Sequence, residues 1–405
     1  MGLQSQIYIK FWDLSEISLY LRHNKNLTVM LIRRQITDAI KRKMFKGKAI
    51  VMVGARQVGK STLFKQIIEG EKSTLVLNCD EPEVRELLTD ANTQTLRLLI
   101  ADNRIVVIDE AQRVERIGLT LKLIVENFPS TQLLVTGSSS FELKNNLNEP
   151  LTGRKYEYYL YPISTQEIID NFGLLMAKQQ LEPRMIYGSY PEIINKPEEA
   201  KELLTGLADS YLYKDILSLD NVRRPALLNK LLIALALQIG SEVSYNELAK
   251  AIGSDNKTVE RYIGLLEKCY VIFTLPAFSR NLRNELKKSK KIYFYDTGIR
   301  NAVLQNFAPL ALRQDVGSLW ENYFIAERIK HNNYTGNRAN CYFWRTTTQQ
   351  EIDYIEESDG AFSIFEIKWN EKRAKTPFPA TFTSNYPLKT SMVITPGNYT
   401  EWLYI

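Results

Sequence analysis

A glycine-rich loop between an apolar strand pattern and a helix pattern constrains the fold of this chain more than any other feature. The loop reads Gly54-Ala55-Arg56-Gln57-Val58-Gly59-Lys60-Ser61, follows the apolar run 50–53 and precedes a helical pattern over 61–69. Its glycines let backbone N–H groups turn inward around phosphate oxygens, and the following helix adds the positive end of its dipole. Lys60 supplies a charge for the β- and γ-phosphates, and the Ser61 hydroxyl is a ligand for Mg²⁺. The spacing therefore predicts a phosphate-binding loop at the end of a strand.

Short apolar runs recur along the first third of the chain and alternate with helical patterns. The runs are 50–53, 74–77, 105–108 and 133–135. Such alternation is typical of a parallel sheet with helical crossovers. The sequence therefore predicts an α/β fold up to about residue 140, and a mainly helical stretch over 165–239.

A helix is also predicted before the loop, over 31–44. Ile32, Ile36 and Ile40 recur there at helical spacing, with Arg33 and Arg34 on other faces. The pattern indicates an amphipathic helix.

Two consecutive carboxylates, Asp109 and Glu110, end the apolar run 105–108. At the end of a strand beside the phosphate loop, Asp109 is placed to join the Mg²⁺ shell. Glu110 is then the natural residue to polarise an attacking water. A strand followed by a charged loop is the alternative, but it would not explain the pairing with the loop.

Two further residues are candidates for sensing or stabilising the phosphates. Thr136 follows the run 133–135, where its hydroxyl would lie between the two motifs and sense the γ-phosphate. Arg154 is a candidate arginine finger, because a cation stabilises the transferring phosphoryl group. A solvated or structural role for Arg154 stays open. The predicted nucleotide contacts are Gly54, Ala55, Arg56, Gln57, Val58, Gly59, Lys60, Ser61, Thr62, Asp109 and Thr136.

Composition excludes several classes of chemistry. The 405 residues suffice for two or three domains, and 52 basic against 46 acidic residues leave a net charge of +6, which permits an anionic partner. His23 and His331 are the only histidines, so a His-rich zinc site or a Ser-His-Asp triad is not expected. Cys79, Cys269 and Cys341 lie far apart, which is typical of reduced thiols in the cytoplasm.

Membrane and secretion signals are not expected either. The aliphatic run 231–237 is far shorter than the roughly 20 apolar residues of a membrane span. Gln4, Gln6, Lys10 and Asp13 interrupt any apolar core of a signal peptide. The sequence therefore predicts a cytoplasmic protein without a membrane partner.

A helix–turn–helix–strand pattern occupies 243–275. Ser244 and Glu247 have the capping-box spacing, Gly253 makes the turn, and a second helix begins near residue 256. This order is typical of a winged helix. Lys257 and Arg261 lie on the exposed face of the second helix, where they would contact DNA. Packing or oligomerisation is the alternative role.

A basic strip follows this pattern, with Glu285 as its only acid. The strip consists of Arg280, Arg283, Lys287, Lys288, Lys290 and Lys291. Beside a winged helix it predicts DNA phosphate contacts, chiefly through Lys287 and Lys288, although such strips are often solvated loops.

Carboxylates and a lysine also cluster in the C-terminal strand patterns. Alternation places Glu366 and Lys368 on one face of a strand, and a hairpin brings Asp353 opposite them. Glu321, from a preceding helix, would complete the shell of a Mg²⁺ ion that lowers the pKa of a bound water. Lys368 would orient that water or stabilise the phosphorane charge. The alternative is a cross-strand salt bridge without catalysis.

These motifs in this order resemble AAA-type P-loop ATPases of bacteria and archaea that carry a winged helix and a C-terminal restriction-nuclease-like, PD-(D/E)XK domain. The resemblance covers about residues 31–375. Its motifs are Gly54–Ser61, Asp109-Glu110, Thr136-Gly137-Ser138, Leu151-Thr152-Gly153-Arg154, Tyr187–Glu192 and Tyr295-Asp296-Thr297-Gly298. Ser189 departs from the Gly-Gly usual in the fifth motif. The resemblance implies an α/β fold with a P-loop AAA-type parallel sheet, a helical lid, a winged helix and a C-terminal α/β nuclease-like domain.

The resulting prediction has five parts. They are an N-terminal extension over 1–30, an ATPase core over 31–165, a helical lid over 166–225, a winged helix over 226–300 and a nuclease-like domain over 301–405. The leading hypothesis is an ATPase, with ATP and Mg²⁺ as cofactors, coupled to DNA binding and Mg²⁺-dependent DNA cleavage. The alternative is an ATP-regulated switch protein with an inert nuclease-like domain. Association of several copies is compatible with either.

Overall fold

A five-stranded parallel sheet carries the phosphate loop at the carboxyl end of one of its inner strands. The computed structural model describes residues 31–137, 151–219, 224–279 and 290–404, with the side chains of 210–219 left out. The strands are β1 (Ala49–Val53), β2 (Thr74–Asn78), β3 (Ile105–Asp109), β4 (Gln132–Gly137) and β5 (Lys155–Tyr159). Their order is β2-β3-β4-β1-β5, and all neighbours are parallel. The predicted sheet is confirmed, and β5 extends it beyond residue 140.

Helices cover this sheet and bury its apolar runs. They are α1 (Thr37–Lys43), α2 (Lys60–Ile67), α3 (Pro82–Leu88), α4 (Thr93–Ile100) and α5 (Ile117–Asn127). The amphipathic helix α4 begins where the Asn92 side chain accepts a hydrogen bond from the Thr95 amide. The helix predicted over 31–44 is shorter in the structure, because residues 31–34 have no regular secondary structure and residues 35–36 form a turn.

The stretch after β5 is helical, as predicted. Ser164 and Glu167 form a capping box at its start, with each side chain bonded to the other residue's amide. The helices are α6 (Thr165–Phe172), α7 (Leu174–Gln179), α8 (Leu181–Tyr187), α9 (Pro191–Asn195), α10 (Ala200–Leu219) and α11 (Pro225–Leu237).

A small antiparallel sheet and two helices follow α11. The elements are β6 (Glu242–Val243), α12 (Tyr245–Ile252), α13 (Asn256–Lys268), β7 (Ile272–Pro276) and β8 (Lys290–Phe294), with strand order β6-β8-β7. Gly253 ends α12 in the left-handed conformation, with φ of 71°, and the Asp255 carboxylate caps α13. The two predicted helices and the strand after them are confirmed.

The C-terminal part consists of a long helix against a mixed sheet. Its elements are α14 (Thr297–Val303), α15 (Val316–Thr335), β9 (Asn340–Arg345), β10 (Glu351–Ser358), β11 (Ala361–Ile367), α16 (Ala380–Thr383) and β12 (Leu388–Ile394). The strand order is β12-β11-β10-β9, with only β11 and β12 parallel. Buried aromatic residues join helix to sheet, since the rings of Phe324 and Phe365 lie 6.2 Å apart. Short 3-10 turns cover Ala111–Arg113, Pro197–Glu199, Leu310–Leu312, Glu371–Arg373 and Tyr399–Trp402.

Residues from Arg33 to Ile405 group into one compact unit. The predicted division of this unit into domains stays a prediction. Across the described ranges, the structure holds no helix that is both long and apolar enough to cross a membrane.

Candidate functional site

The phosphate loop needs glycine at two positions for separate reasons. A Cβ on Gly54 would overlap the carbonyl oxygen of Leu160, so the loop passes against the chain that leaves β5. Gly59 has φ of 95° at the start of α2, a backbone conformation that residues other than glycine rarely adopt. The loop therefore has the strand–turn–helix form in which backbone amides are available to an anion.

Lys60 lies inside this loop rather than in solvent. Its side chain is buried, and Nζ donates hydrogen bonds to the carbonyl oxygens of Gly54 (3.0 Å) and Ala55 (2.8 Å). A buried ammonium group is costly unless negative charge or strong acceptors lie beside it. An anionic phosphate would supply the missing charge.

Asp109 connects the strand ends that the sequence predicted to meet. Its Oδ1 accepts a hydrogen bond from Ser61 Oγ at 2.9 Å and another from the Thr136 hydroxyl. The Thr136 oxygen in turn accepts from the Glu110 amide at 3.1 Å. The ends of β3 and β4 and the start of α2 thus form one polar network at the loop.

The Glu110 side chain leaves this network at a strained turn. The residue has φ of 52°, a left-handed conformation that is uncommon for glutamate and typical of functional turns. Gln112 Nε2 donates to Glu110 Oε2 at 2.5 Å, which fixes the carboxylate.

The thiol of Cys79 lies close to the carboxylates at the ends of these strands. Burial, with the carboxylates of Asp109, Asp80 and Glu110, raises the pKa of the thiol to about 12. The thiol is therefore protonated near pH 7 and does not act as a thiolate nucleophile. Cys79, Cys269 and Cys341 form no disulfide bonds, as the sequence predicted.

Arg154 lies at the amino ends of the strands, opposite the phosphate loop. Its carbonyl accepts from the Ala49 amide at the start of β1, and five residues of strand, about 15 Å, separate it from the loop. Its side chain pairs with Glu126 at 2.8 Å, both about 40% exposed. An arginine-finger role toward the loop of the same chain is therefore not supported, and a role toward a neighbouring copy stays a prediction.

A second charged cluster links β10 and β11. Lys368 Nζ donates to Asp353 Oδ2 at 2.9 Å and pairs with Glu366 Oε2 at 2.6 Å. Asp353 also accepts from the Ile367 amide at 2.7 Å. The pairing of β10 with β9 shifts register between Ile352 and Ile355, so Asp353 lies in a bulge, which re-aims a side chain. The predicted juxtaposition of these three side chains is present.

The ionisation of this cluster is perturbed by its surroundings. Burial and the Asp353 carboxylate raise the pKa of Glu366 to about 8, against the effect of Lys368. Burial alone would lower the pKa of Lys368, but Asp353 and Glu366 raise it above its ordinary value. Lys368 is therefore charged at neutral pH and Glu366 is largely protonated.

Glu321 was predicted to complete this cluster, but its hydrogen bonds go to other residues. It lies on α15, where it accepts from Tyr293 OH at 2.5 Å and pairs with Lys291 at 3.2 Å. Burial raises its pKa to about 7. Over the part of the chain that is described, no three His, Cys, Asp or Glu side chains are placed to hold a metal ion. The structure does not form the expected three-carboxylate Mg²⁺ site, because Glu321 is bonded to Lys291 and Tyr293, whereas Asp353 and Glu366 are bonded to Lys368.

The predicted DNA contacts separate into three groups. Lys257 and Arg261 are exposed on α13, as predicted. Lys287 and Lys288 lie outside the described residues, as do Arg280 and Arg283. The prediction that Lys291 contacts DNA is wrong, because its side chain is only 2% exposed and also pairs with Glu351 at 2.6 Å.

Two motifs of the predicted family pack on each other. The Asp296 carboxylate accepts from the Ser189 amide at 2.7 Å and from the Ile299 amide at 3.2 Å. A Cβ on Gly298 would overlap the Tyr187 carbonyl. Ser189 thus joins the two motifs through its amide, and its hydroxyl accepts a hydrogen bond from Arg184 Nε at 3.0 Å.

Two sets of buried ion pairs were missed from the sequence. Arg34 Nε donates to Glu167 Oε1 at 2.9 Å, and Arg184 Nη2 donates to Glu327 Oε1 at 3.3 Å. Lys330 Nζ also donates to Glu327, at 2.8 Å. The local sequence does not reveal these pairs, because the acidic partners of Arg34 and Arg184 are 133 and 143 residues away.

The geometry defines a P-loop nucleotide-binding core. Residues 46–169 match the family model of an AAA domain, residues 178–310 a domain of unknown function (DUF8612) and residues 316–404 another such domain (DUF4143). The core is thus a P-loop ATPase core of the AAA type.

Several relatives span most of the chain. An uncharacterized protein of Mycobacterium tuberculosis is 26% identical over 360 residues, covering 87% of this chain and 76% of its own length. One from Methanocaldococcus jannaschii is 24% identical, covering 89% and 85%. Among solved structures, a Walker-type ATPase of Pyrococcus abyssi covers 68% of this chain and 96% of its own, at 16% identity and a TM-score of 0.45.

Proposed function

We propose that this protein binds ATP with Mg²⁺ at the loop Gly54–Ser61, hydrolyses it, and uses the cycle to control contact with DNA. The observation that carries the ATPase proposal is the Asp109 carboxylate, which accepts hydrogen bonds from the hydroxyls of both Ser61 and Thr136. This network joins the phosphate loop to the strand end that bears Glu110.

The donor set fits the cofactor. Ser61 and Asp109 present a hydroxyl and a carboxylate oxygen 2.9 Å apart, and Mg²⁺ prefers oxygen ligands. These two residues would hold the ion, which when bound neutralises charge on the phosphates. Lys60 compensates phosphate charge, and Glu110 orients and deprotonates the attacking water.

Nucleotide binding and phosphate release measured on three variants test this proposal. Lys60→Ala should lose ATP binding, because the buried ammonium is its main cation. Glu110→Gln should bind ATP but release phosphate at least about 100-fold more slowly, the usual effect of removing a general base. Glu115→Gln, an exposed carboxylate nearby, should match the wild type.

Two outcomes would contradict the assignments. Equal turnover in Glu110→Gln and the wild type would remove Glu110 as the base. Unchanged ATP affinity in Lys60→Ala would remove the loop as the nucleotide site.

DNA contact through residues 225–294 is the second part of the proposal. The proposal is supported by the order of the elements, helix α11, strand β6, helices α12 and α13, and strands β7 and β8, which is typical of a winged helix. Lys257 and Arg261 are exposed on the second helix of the turn. Salt dependence is measured as the slope of the logarithm of the binding constant against the logarithm of the salt concentration. Replacing both residues by Ala should make this slope less steep by about 0.9 per lost phosphate contact.

Lys201→Ala, an exposed lysine on α10, is the control and should leave the slope unchanged. If the double variant also leaves slope and affinity unchanged, α13 is not the DNA contact.

Mg²⁺-dependent DNA cleavage is a second candidate function, supported by the contact of Lys368 with Asp353 and Glu366. Two carboxylates with retained waters suffice for Mg²⁺. Plasmid cleavage with Mg²⁺ or Mn²⁺ by the wild type, but not by Lys368→Ala, would support it. No cleavage by the wild type would favour the alternative, a switch protein in which this cluster is an ion-pair network only.

A further inference from the structure

Arg34 reaches the back of the phosphate loop from an element that no sequence motif marks. Its side chain is 5% exposed, and its Nη1 donates a hydrogen bond of 2.7 Å to the carbonyl oxygen of Val58. Val58 and Gly59 are the two loop residues immediately before Lys60. The guanidinium therefore contacts the loop at its turn into α2.

This contact has a consequence for the next amide. In a planar trans peptide unit the C=O and the following N–H point in opposite directions. Holding the Val58 carbonyl on Arg34, behind the loop, turns the Gly59 N–H toward the opposite, phosphate side. Gly59, with φ of 95°, is free to adopt several backbone conformations, so a contact from outside the loop can select one of them.

Three other groups fix the guanidinium itself. Its Nε donates to Glu167 Oε1 at 2.9 Å, its Nη2 to the Tyr161 carbonyl at 2.5 Å, and Nη2 lies 3.5 Å from Tyr334 OH. Glu167 is in turn held by the Ser164 and Gln35 amides, at 2.9 and 3.0 Å. Arg34 is thus charge-compensated and oriented before any nucleotide binds.

We propose that Arg34 is a positioning residue of the nucleotide site, which fixes the Val58–Gly59 peptide so that the Gly59 amide is preset to bind a phosphate oxygen. The role rests on the proposed ATP site and adds to it a residue outside the loop. Lysine cannot replace arginine here, because one ammonium cannot reach Val58, Tyr161 and Glu167 in a planar fork.

Arg184 provides a matched control. It is equally buried, pairs with Glu327 at 3.3 Å and donates to the Ile163 carbonyl at 3.1 Å. Its hydrogen bonds go to residues outside the loop. Arg184→Lys should therefore cost similar stability without disturbing the Val58 carbonyl.

The experiment measures the dissociation constant of a fluorescent ATP analogue with Mg²⁺, together with the melting temperature, for the wild type, Arg34→Lys and Arg184→Lys. We expect Arg34→Lys to weaken nucleotide binding about tenfold or more and Arg184→Lys to leave it within about twofold. Millimolar guanidinium should restore part of the affinity of Arg34→Ala. Should Arg34→Lys not fold, Glu167→Gln, which loosens the guanidinium without removing it, should weaken binding about threefold.

Equal affinity in the wild type, Arg34→Lys and Glu167→Gln would overturn the role of Arg34 and leave the ATP site intact. Equal losses in Arg34→Lys and Arg184→Lys would also overturn it, because they would indicate general destabilisation. Failure of the wild type itself to bind the nucleotide would instead refute the proposed function.

Discussion

Replacing Glu366 by glutamine should stabilise the protein at pH 8, although it removes an ion pair. The pKa of Glu366 is raised from 4.5 to about 8, chiefly by burial and by the neighbouring Asp353. Between these values the folded protein keeps a proton that the unfolded chain releases. Folding is therefore linked to proton uptake, and stability falls as the pH rises through this window.

The magnitude follows from the pKa difference. At about 1.4 kcal/mol per pKa unit, the raised pKa costs roughly 4 kcal/mol of folding free energy at pH 8. The amide in Glu366→Gln avoids this cost but loses the 2.6 Å pair with Lys368. The pKa of about 8 already includes the favourable effect of Lys368 on the carboxylate, so that pair is not subtracted again. We expect a stabilisation of up to about 4 kcal/mol at pH 8 and little or none at pH 5, because Glu366 is then protonated.

Urea unfolding followed by tryptophan fluorescence at pH 5 and pH 8 measures this difference locally. Four of the five tryptophans, Trp320, Trp344, Trp369 and Trp402, lie in the C-terminal part. The matched control is Glu356→Gln on β10, which loses a bidentate pair with Arg328 at 2.8 and 3.0 Å. It should be destabilised by about 3 kcal/mol at pH 8. Destabilisation of Glu366→Gln at both pH values would refute the reasoning.

The remaining predictions concern a packed glycine and the exposed arginine. Gly298→Ala should destabilise the protein by more than about 2 kcal/mol in urea unfolding, because its Cβ would overlap the Tyr187 carbonyl. Gly317→Ala, in a helix with no atom near the new methyl group, should be neutral or stabilising, and similar losses in both would contradict this account. Arg154→Ala should lower ATP turnover only if copies associate, so its effect should grow with protein concentration. A constant effect from dilute to concentrated protein would exclude a finger in trans.

The ATPase sheet was predictable from the sequence because its signals are local. Buried parallel strands are continuous apolar runs, and the carboxyl ends of such strands meet at one edge. The meeting of Ser61, Asp109 and Thr136 follows from that rule alone. The contact of Asp353 with Lys368 follows similarly from strand alternation and a hairpin.

Long-range pairing could not be predicted in this way. Lys291 belongs to a basic strip in the sequence. In the structure it lies in β8, which pairs with both β6 and β7, and its side chain forms ion pairs with Glu321 and Glu351. Arg34 has its partners 24 to 300 residues away, so its local sequence resembles that of a solvated helix face. Burial of a charge depends on the tertiary partner that compensates it, and no local period encodes that partner.

Helix α15 is a single rod of 20 residues, about 30 Å long, whose two ends serve different places. Glu321 near its start meets Lys291, and Tyr334 at its end lies 3.5 Å from Arg34 behind the phosphate loop. Each inserted residue would rotate one end against the other by about 100°. One added or deleted residue between Glu321 and Tyr334 would therefore break one of these contacts, whereas point substitutions on the exposed face would not. The length of this helix should accordingly be under stricter selection than its surface composition.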